Sequence, residues 1–335
     1  MLGQSAALSL GPWKSTSAVA RACDSPDFFT PSNPDFFTPS RGYLAFARGV
    51  LLAAALAVAA TPAFSQAAAS PQRIISTAPS ITEMLYTLGL GDRVVGVTEF
   101  CHYPPEVREK AKIGSYLRPH IETMLSLRPD LVVLLNEHGL LADRLRGAGL
   151  NVLELQHNNL EGIYSSLRSL GNRAGVAEAA ERRIVEIQAA LEGVRERTAS
   201  LPRRTVMFIV GRTPGTIQDV VAVGKGSFLN ELIAVAGGQN VFADAAQYYP
   251  RIPREEIYAR RPDVIVDMGD MSDTDGVTEE HRLSVGKLWE QIPSLPAVQQ
   301  NRVYPVANDI FVVPGPRVVE AAQSLFEMIH PEATK

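Results

Sequence analysis

Two stretches of this chain follow the same plan: IETMLSLRPDLVVLL (residues 121–135) and REEIYARRPDVIVDM (residues 254–268). Each begins with a short helical pattern, continues through Arg-Pro-Asp and ends in an apolar run. Because Pro cannot continue a helix, the run that follows it is expected to be a buried strand. When the two triplets are superposed, Glu122 falls on Glu255. The duplication predicts two similar lobes, each with one acidic residue at the same corner.

Strand-like and helix-like segments alternate around these corners, which is typical of α/β architecture. The predicted strands are 73–77, 94–97, 131–135, 152–155, 205–210, 264–267 and 303–306. The predicted helices are 81–88, 121–127, 140–147, 160–172, 227–236, 254–260 and 317–329. We expect the first-lobe helices to stop near glycines, at Gly89, Gly91, Gly147 and Gly149.

The segment at 177–200 joins the two halves and predicts one long helix. Apolar residues recur at positions 176, 180, 184, 187, 191 and 194, in steps of four and three that form one stripe along a helix. Pro202 follows and ends the pattern. The predicted fold is therefore two Rossmann-like α/β lobes, at 72–175 and 203–330, bridged by a helix at 176–201. Since a helix is stiffer than a Gly/Ser-rich linker, we expect a small opening motion of the lobes.

The N-terminal region predicts export. Residues 1–67 comprise a Pro- and Ser-rich extension followed by a signal peptide at about 41–67. Arg41 and Arg48 precede an apolar run at 50–60, and small residues suitable for cleavage follow. The alternative is an uncleaved anchor, although the run is short for a membrane span. Cys23 lacks a preceding apolar stretch, which favours a free periplasmic protein over a lipid-anchored one.

Composition excludes several classes of protein. With 335 residues, 46% of them hydrophobic and 20% charged, the chain can form sizeable cores and is not a disordered protein. A net charge of −4 and no dense basic run argue against nucleic acid as a partner. The histidines form no closely spaced group with carboxylates, so no metal site is predicted. Neither a phosphate-binding loop nor a nucleophile elbow is present, and no catalytic residue is predicted.

The motifs resemble those of one family. RIISTAPSITEMLYTLGLGDRVVGVTEFCHYPPE (residues 73–106), both Arg-Pro-Asp corners and the central helix resemble the substrate-binding proteins of ABC importers for metal chelates. This is the class with a helical backbone between its lobes, also called class III, which handles vitamin B12, ferric siderophores and haem. The resemblance covers roughly residues 73–329. The GVTEFCHYPPE stretch and the surroundings of Tyr116 look most like the cobalamin-binding branch.

The resemblance implies a ligand cleft between the lobes. Broad, partly apolar chelates need aromatic platforms and a few hydrogen-bonding groups. By position, the family's ligand-binding residues fall on Pro79, Ser80, Phe100, Tyr116, Val210, Gly211, Tyr249 and Asp309. Two positions depart from the cobalamin-binding pattern, since Leu135 stands where a Trp is frequent and Val313 replaces a basic residue. Those departures leave the identity of the ligand open.

The resemblance also implies a partner. In this family one Glu on the outer surface of each lobe meets Arg residues of a permease homodimer at the inner membrane, and Glu122 and Glu255 match these positions. The implied protein is a periplasmic monomer that captures a metal chelate, with cobalamin or another corrinoid favoured, and has no intrinsic cofactor. The alternatives are a ferric siderophore or haem binder of the same class and an enzyme of the chelatase or nitrogenase type.

Overall fold

The second Arg-Pro-Asp corner shows how the elements are joined. In the computed structural model, which describes residues 70–269 and 277–334, a helix at Arg254–Arg260 ends at Arg261, whose φ is 47°. Pro262 follows, and the strand Val264–Asp267 begins two residues later. The Asp263 carboxylate accepts a hydrogen bond from the Thr205 amide at 2.9 Å. The first corner repeats this arrangement, with Arg128 at φ 48° and the Asp130 carboxylate accepting from the Arg73 amide at 2.9 Å.

The first lobe has a five-stranded parallel sheet in the order β3-β2-β1-β4-β5. Its strands are β1 (Ile74–Ser76), β2 (Val94–Val97), β3 (Ala111–Lys112), β4 (Leu131–Leu135) and β5 (Val152–Leu155). Its helices are α1 (Pro79–Thr87), α2 (Ile121–Ser126), α3 (Gly139–Gly147) and α4 (Leu160–Ala174). Short 3₁₀ turns lie at Gly91–Arg93, Pro105–Glu109 and Asn136–His138. In a parallel sheet the carboxyl ends of all strands lie on the same side. The loops that follow these strand ends face the second lobe, as described below.

The second lobe has a six-stranded mixed sheet. Its strands are β6 (Arg204–Gly211), β7 (Val220–Ala222), β8 (Gly238–Asn240), β9 (Arg251–Ile252), β10 (Val264–Asp267) and β11 (Val303–Pro305). The order is β11-β10-β6-β7-β9, β8 also pairs with β6, and β7 is antiparallel to both neighbours. The helices are α6 (Phe228–Val235), α7 (Arg254–Arg260), α8 (Glu279–Trp289), α9 (Pro296–Gln299) and α10 (Val318–Ile329), with 3₁₀ turns at Asp309–Phe311 and Pro331–Ala333.

The helix α5 (Ala177–Thr198) bridges the lobes. Its buried side chains are Ala180, Ile184, Ile187, Leu191, Val194 and Thr198, so the stripe predicted from the sequence is the buried face. The five apolar residues among these belong to one hydrophobic cluster that contains core residues of both sheets. A helix fixed along its length against both lobes is a stiff connection. Both lobes accordingly fall within one compact unit, Ala67–Lys335.

The predicted architecture of two α/β lobes bridged by a long helix is confirmed, with several corrections to the elements. Helix α1 begins at Pro79 instead of residue 81, because proline fits the first turn of a helix, where no amide donor is required. Gly147 lies inside α3, and the left-handed Gly149 follows that helix. Helices α8 and α9 and the short strands β3, β7, β8 and β9 were not predicted.

Other predictions lie outside the described residues or are untested. The N-terminal extension and signal peptide at 1–67 lie outside the described ranges. The exact domain bounds 72–175, 176–201 and 203–330 stay predictions. Of the helices within 70–269 and 277–334, none has the length and apolar character needed to cross a membrane.

Candidate functional site

A cavity of about 710 Å³ lies between the loops of the two lobes. The first lobe contributes residues that follow each of its five strands, and the second contributes the start of α6 and two loops. The lining residues are Ala78, Pro79, Ser80, Phe100, Tyr116, Leu117, Leu135, Asn136, Glu137, Gln156, His157, Asn158, Ser227, Phe228, Tyr248, Tyr249, Val312, Val313 and Pro314. The carboxyl ends of parallel strands are the usual place for a ligand in α/β proteins, which makes this cavity the candidate site.

Five of the predicted ligand-binding residues line this cavity: Pro79, Ser80, Phe100, Tyr116 and Tyr249. The positions that depart from the cobalamin-binding pattern, Leu135 and Val313, line it as well. The structure therefore brings these residues from both lobes together at one surface.

Three predicted residues do not line the cavity. Val210 is 7% exposed and packs in the main hydrophobic cluster. Gly211 ends β6 and pairs with Val221 in the sheet. The Asp309 carboxylate accepts hydrogen bonds from the Arg317 guanidinium at 2.9 and 2.8 Å. For these three residues a ligand-binding role stays a prediction without support from their position.

Large apolar side chains at the cavity are exposed. Phe100 is 56% exposed, Tyr248 47%, Tyr249 43% and Leu117 79%. Exposed aromatic and aliphatic side chains that gather around one concave surface are typical of a binding site, because they lose contact with water when a ligand covers them. Tyr248 and Leu117 were not predicted.

Tyr116 is tied to the Glu137 side chain. Its hydroxyl donates a hydrogen bond to Glu137 Oε1 at 2.8 Å. The ring of His138 packs edge-on against Tyr116, with 4.5 Å between ring centroids. Burial raises the pKa of Tyr116, and the adjacent Glu137 carboxylate raises it further. Tyr116 thus keeps its proton and remains a hydrogen-bond donor.

His157 forms a buried polar contact in the cavity wall. Its Nε2 lies 2.8 Å from Ser80 Oγ and its Nδ1 lies 3.2 Å from Ser166 Oγ. The side chain is 2% exposed, and this burial lowers the pKa of His157 to about 4. The imidazole is therefore neutral at physiological pH, and both nitrogens already have partners. Sequence reasoning missed this role because the contact joins positions far apart in the chain.

The polar lining is rich in carboxamides. Asn136, Gln156 and Asn158 are exposed at the cavity, and each amide can both donate and accept. Glu137 is the one acidic side chain among the lining residues, and these include neither Lys nor Arg. Such a surface suits a ligand with an apolar face and neutral, hydrogen-bonding edges.

Three polar contacts join the lobes at the base of the cavity. The Arg317 guanidinium of the second lobe donates to Glu83 of α1 at 3.1 Å. The Phe228 amide donates to the Asn158 carbonyl at 2.7 Å. The Leu160 amide donates to the Glu231 carboxylate, also at 2.7 Å. These contacts hold the two lobes together at the cavity, and Asn158 and Phe228 also line it.

The Glu83 side chain is buried, with 2% of it exposed. Burial raises the pKa of Glu83 to about 7, although the Arg317 guanidinium acts in the opposite direction. Arg317 also lies over the Tyr103 ring, 4.1 Å from its centroid. A buried guanidinium shared by Glu83 and Asp309 is a rigid feature with little freedom to rearrange.

Glu122 and Glu255 are both exposed, each in the first turn of its helix. Within the described ranges neither carboxylate takes part in an ion pair, whereas the adjacent Glu256 pairs with Arg260 at 3.1 Å. The duplicated corners thus present matching carboxylates to solvent. Their predicted docking role is untested.

A second cavity of about 630 Å³ lies in the second lobe, beside Arg212, His281 and Lys287. None of the predicted ligand-binding residues lines it. Within the residues that the structure describes, no group of His, Cys, Asp and Glu could hold a metal ion. Cys101 is buried and contacts the Thr82 and Thr98 hydroxyls at 3.2 Å, as expected of a small packing residue.

Comparisons with known proteins agree with this geometry. Residues 74–309 match the family described as periplasmic binding protein. A Bacillus subtilis protein named as an uncharacterised ABC transporter substrate-binding lipoprotein is 32% identical over 276 residues, covering 79% of this chain and 82% of that protein. The crystal structure of the periplasmic vitamin B12 binding protein of Vibrio cholerae is 26% identical, with a TM-score of 0.65, covering 79% of this chain and 99% of that one. The apo structure of a periplasmic heme-binding protein from Roseiflexus sp. RS-1 is also 26% identical, with a TM-score of 0.64, covering 78% and 99%.

Proposed function

Since the chain belongs to the periplasmic binding protein family, we propose that it is the substrate-binding component of an ABC importer and captures a corrinoid such as cobalamin. It binds this chelate between its lobes and delivers it to a permease in the inner membrane. It performs no catalysis and has no resident cofactor, because the chelate is cargo. It acts in the periplasm after removal of the signal peptide at about 41–67.

The observation that carries the choice of cargo is the chemistry of the cavity lining. A corrin has a broad apolar face and an edge of neutral carboxamides. Phe100, Tyr248 and Tyr249 offer apolar surface for the face. Asn136 and Gln156 offer donors and acceptors for the edge. The vitamin B12 binding protein of Vibrio cholerae, with the same fold, supports the same choice.

The proposed partner is a permease homodimer. Two similar corners place Glu122 and Glu255 at equivalent positions, which suits a partner whose two subunits are related by two-fold symmetry. Charge pairs at such a contact set orientation and association rate more than net affinity. We propose that the substrate-binding protein itself is a monomer.

A haem or ferric siderophore cargo is the second candidate of the same class. The heme-binding protein from Roseiflexus favours it. The cavity lining favours it less, because no Lys or Arg among these residues could pair with the carboxylates of haem. A chelatase or nitrogenase-like enzyme is the remaining alternative, and the family match argues against it.

Calorimetric titration tests the cargo directly. The protein from Ala68 to Lys335 is titrated in parallel with cyanocobalamin, haemin and several ferric siderophores. We expect saturable one-to-one binding of cyanocobalamin and no comparable binding of the others. Saturable binding of haemin or a siderophore without binding of cyanocobalamin would replace the corrinoid proposal with the second candidate. Sequencing the N-terminus of the protein recovered from a periplasmic fraction tests export and the cleavage position.

A further inference from the structure

Glu137 is distinct among the residues that line the cavity. The other members are apolar, aromatic, hydroxyl-bearing or carboxamide side chains, together with the imidazole of His157. The Glu137 side chain is also exposed at the cavity. The site described above therefore carries one carboxylate on its wall.

The carboxylate of Glu137 is held in place. It follows β4 directly, in the short 3₁₀ turn Asn136–His138. Tyr116 donates its hydroxyl hydrogen to Oε1 at 2.8 Å, and Tyr116 itself is half-buried. His138 packs against the same tyrosine ring. Glu137 thus faces the cavity from a defined position and is not a freely moving surface side chain.

Among the described residues that line the cavity, no Lys or Arg offsets this charge. His157 is buried between two serine hydroxyls, and its lowered pKa, about 4, leaves it neutral at physiological pH. Arg317, near the base, is already shared by Glu83 and Asp309. A ligand in the cavity therefore meets an uncompensated negative charge on the Glu137 side.

We propose that Glu137 is a specificity-determining residue that selects cargo by the charge of its edge. It favours chelates whose edge is neutral and hydrogen-bond-donating or cationic, and it disfavours chelates that present a carboxylate there. The inference rests on the proposed function of this same cavity, which it deepens by defining the substrate class as corrinoids with an intact carboxamide edge. The physical reason is repulsion between two anions at a short distance, weakened by the solvent that reaches this wall.

The test uses ligands that differ in one charge. Cyanocobalamin and the three monocarboxylic acids obtained by hydrolysing one of its primary propionamide side chains share the corrin, the cobalt ligands and nearly the same shape, while each acid replaces one carboxamide with a carboxylate. Their affinities are measured by calorimetry on the wild-type protein and on Glu137→Gln, which removes the charge and keeps the side-chain size. Glu178→Gln makes the same change on the exposed face of α5 and serves as the matched control.

We expect at least one acid to bind the wild-type protein about threefold to tenfold more weakly than cyanocobalamin, given one charge pair screened by solvent. This penalty should fall by threefold or more in Glu137→Gln and persist in Glu178→Gln. A Glu137→Arg variant should reverse the order and favour that acid.

Two results would overturn the inference. One is equal binding of all four corrinoids to the wild-type protein, and the other is a penalty that is unchanged in Glu137→Gln. Both leave the proposed function standing, because cyanocobalamin still binds. Absence of binding by every corrinoid would instead overturn the proposed function and the inference with it.

Discussion

Arg128 and Arg261 occupy the same place in the two lobes and share a left-handed backbone conformation, with φ of 48° and 47°. Such a conformation is uncommon for residues other than glycine, so its occurrence at both corners is a duplicated structural feature. Each arginine is followed by Pro and by an Asp whose carboxylate binds an amide of the neighbouring strand. The Arg-Pro-Asp corners fix the ends of the two helices that carry Glu122 and Glu255.

The first prediction concerns these two glutamates. Charge reversal in the double variant Glu122→Arg, Glu255→Arg should leave cargo affinity unchanged, because neither side chain lines the cavity. It should abolish uptake, because the permease would then meet like charges. Calorimetry measures the first effect, and uptake of labelled cargo by cells measures the second.

The control for charge reversal is Glu178→Arg with Glu196→Arg. Both positions are exposed on the bridging helix, and the net change in charge is the same. Uptake should stay normal in this control. Normal uptake by the Glu122, Glu255 double variant would show that these carboxylates do not dock the permease.

The aromatic side chains of the cavity give a second prediction. Phe100→Ala and Tyr249→Ala should each weaken cyanocobalamin binding by about 1 kcal/mol, or roughly fivefold, through loss of the apolar platform. Tyr258→Ala removes a similarly exposed aromatic residue outside the cavity lining and should leave the affinity unchanged. Unaltered affinity in both cavity variants would place the cargo elsewhere.

The buried contact between Arg317 and Glu83 gives a third prediction. Arg317→Met should lower the free energy of unfolding by about 3 kcal/mol, because the variant leaves Glu83 buried without its partner. The double variant Glu83→Leu, Arg317→Met removes the unpaired carboxyl group and should recover much of the lost free energy of unfolding. Urea unfolding of the wild-type protein and of both variants measures the loss and its recovery. A fully stable Arg317→Met protein would contradict a structural role for the pair.

His157 gives a fourth prediction, on the dependence of stability on pH. Burial lowers the pKa of His157 from 6.5 to about 4, so the unfolded chain takes up a proton there more readily than the folded one. The stabilisation is complete above about pH 6.5 and is lost as the pH falls towards 4, up to about 3 kcal/mol in all. His157→Gln cannot titrate and should show a shallower decline in thermal stability over that interval. Parallel curves for the two proteins would rule out this linkage.

The bridging helix gives a fifth prediction. Because α5 packs against both lobes and three polar contacts join them at the cavity, cargo should close the cleft only slightly. We expect almost no change in the radius of gyration from solution scattering, as for preorganised sites whose backbone moves by about 1 Å or less on binding. A large collapse on binding would contradict the stiff connection.

The elements that were predicted well carry strong local signals. The strand Val264–Asp267 and the helix Arg254–Arg260 were predicted with exact bounds, because an apolar run and a proline define them within a few residues. Helix α8 was missed because its buried face consists only of Val285, Leu288 and Trp289, which is too sparse for a clear period. The short antiparallel strands β7 and β9 were missed because two or three residues carry no period.

The sequence predicted candidate site residues that are recognisable at their own positions. It did not predict contacts between side chains that are distant in the chain. Phe100 and Tyr249, which line the cavity, were predicted from a resemblance at their own positions. The Ser80–His157 contact joins residues 77 positions apart, and the Glu137 side chain is held by Tyr116, 21 positions away. Only the folded chain brings these groups together, because no local pattern encodes their distance.

The Phe228–Asn158 hydrogen bond between the lobes affects how the protein releases its ligand. Because this contact and the two beside it join the lobes, the cleft is preorganised for a ligand, so little conformational entropy is lost on binding. The same preorganisation makes spontaneous escape slow. Release of the ligand would then require the membrane partner to pull the lobes apart and break these contacts.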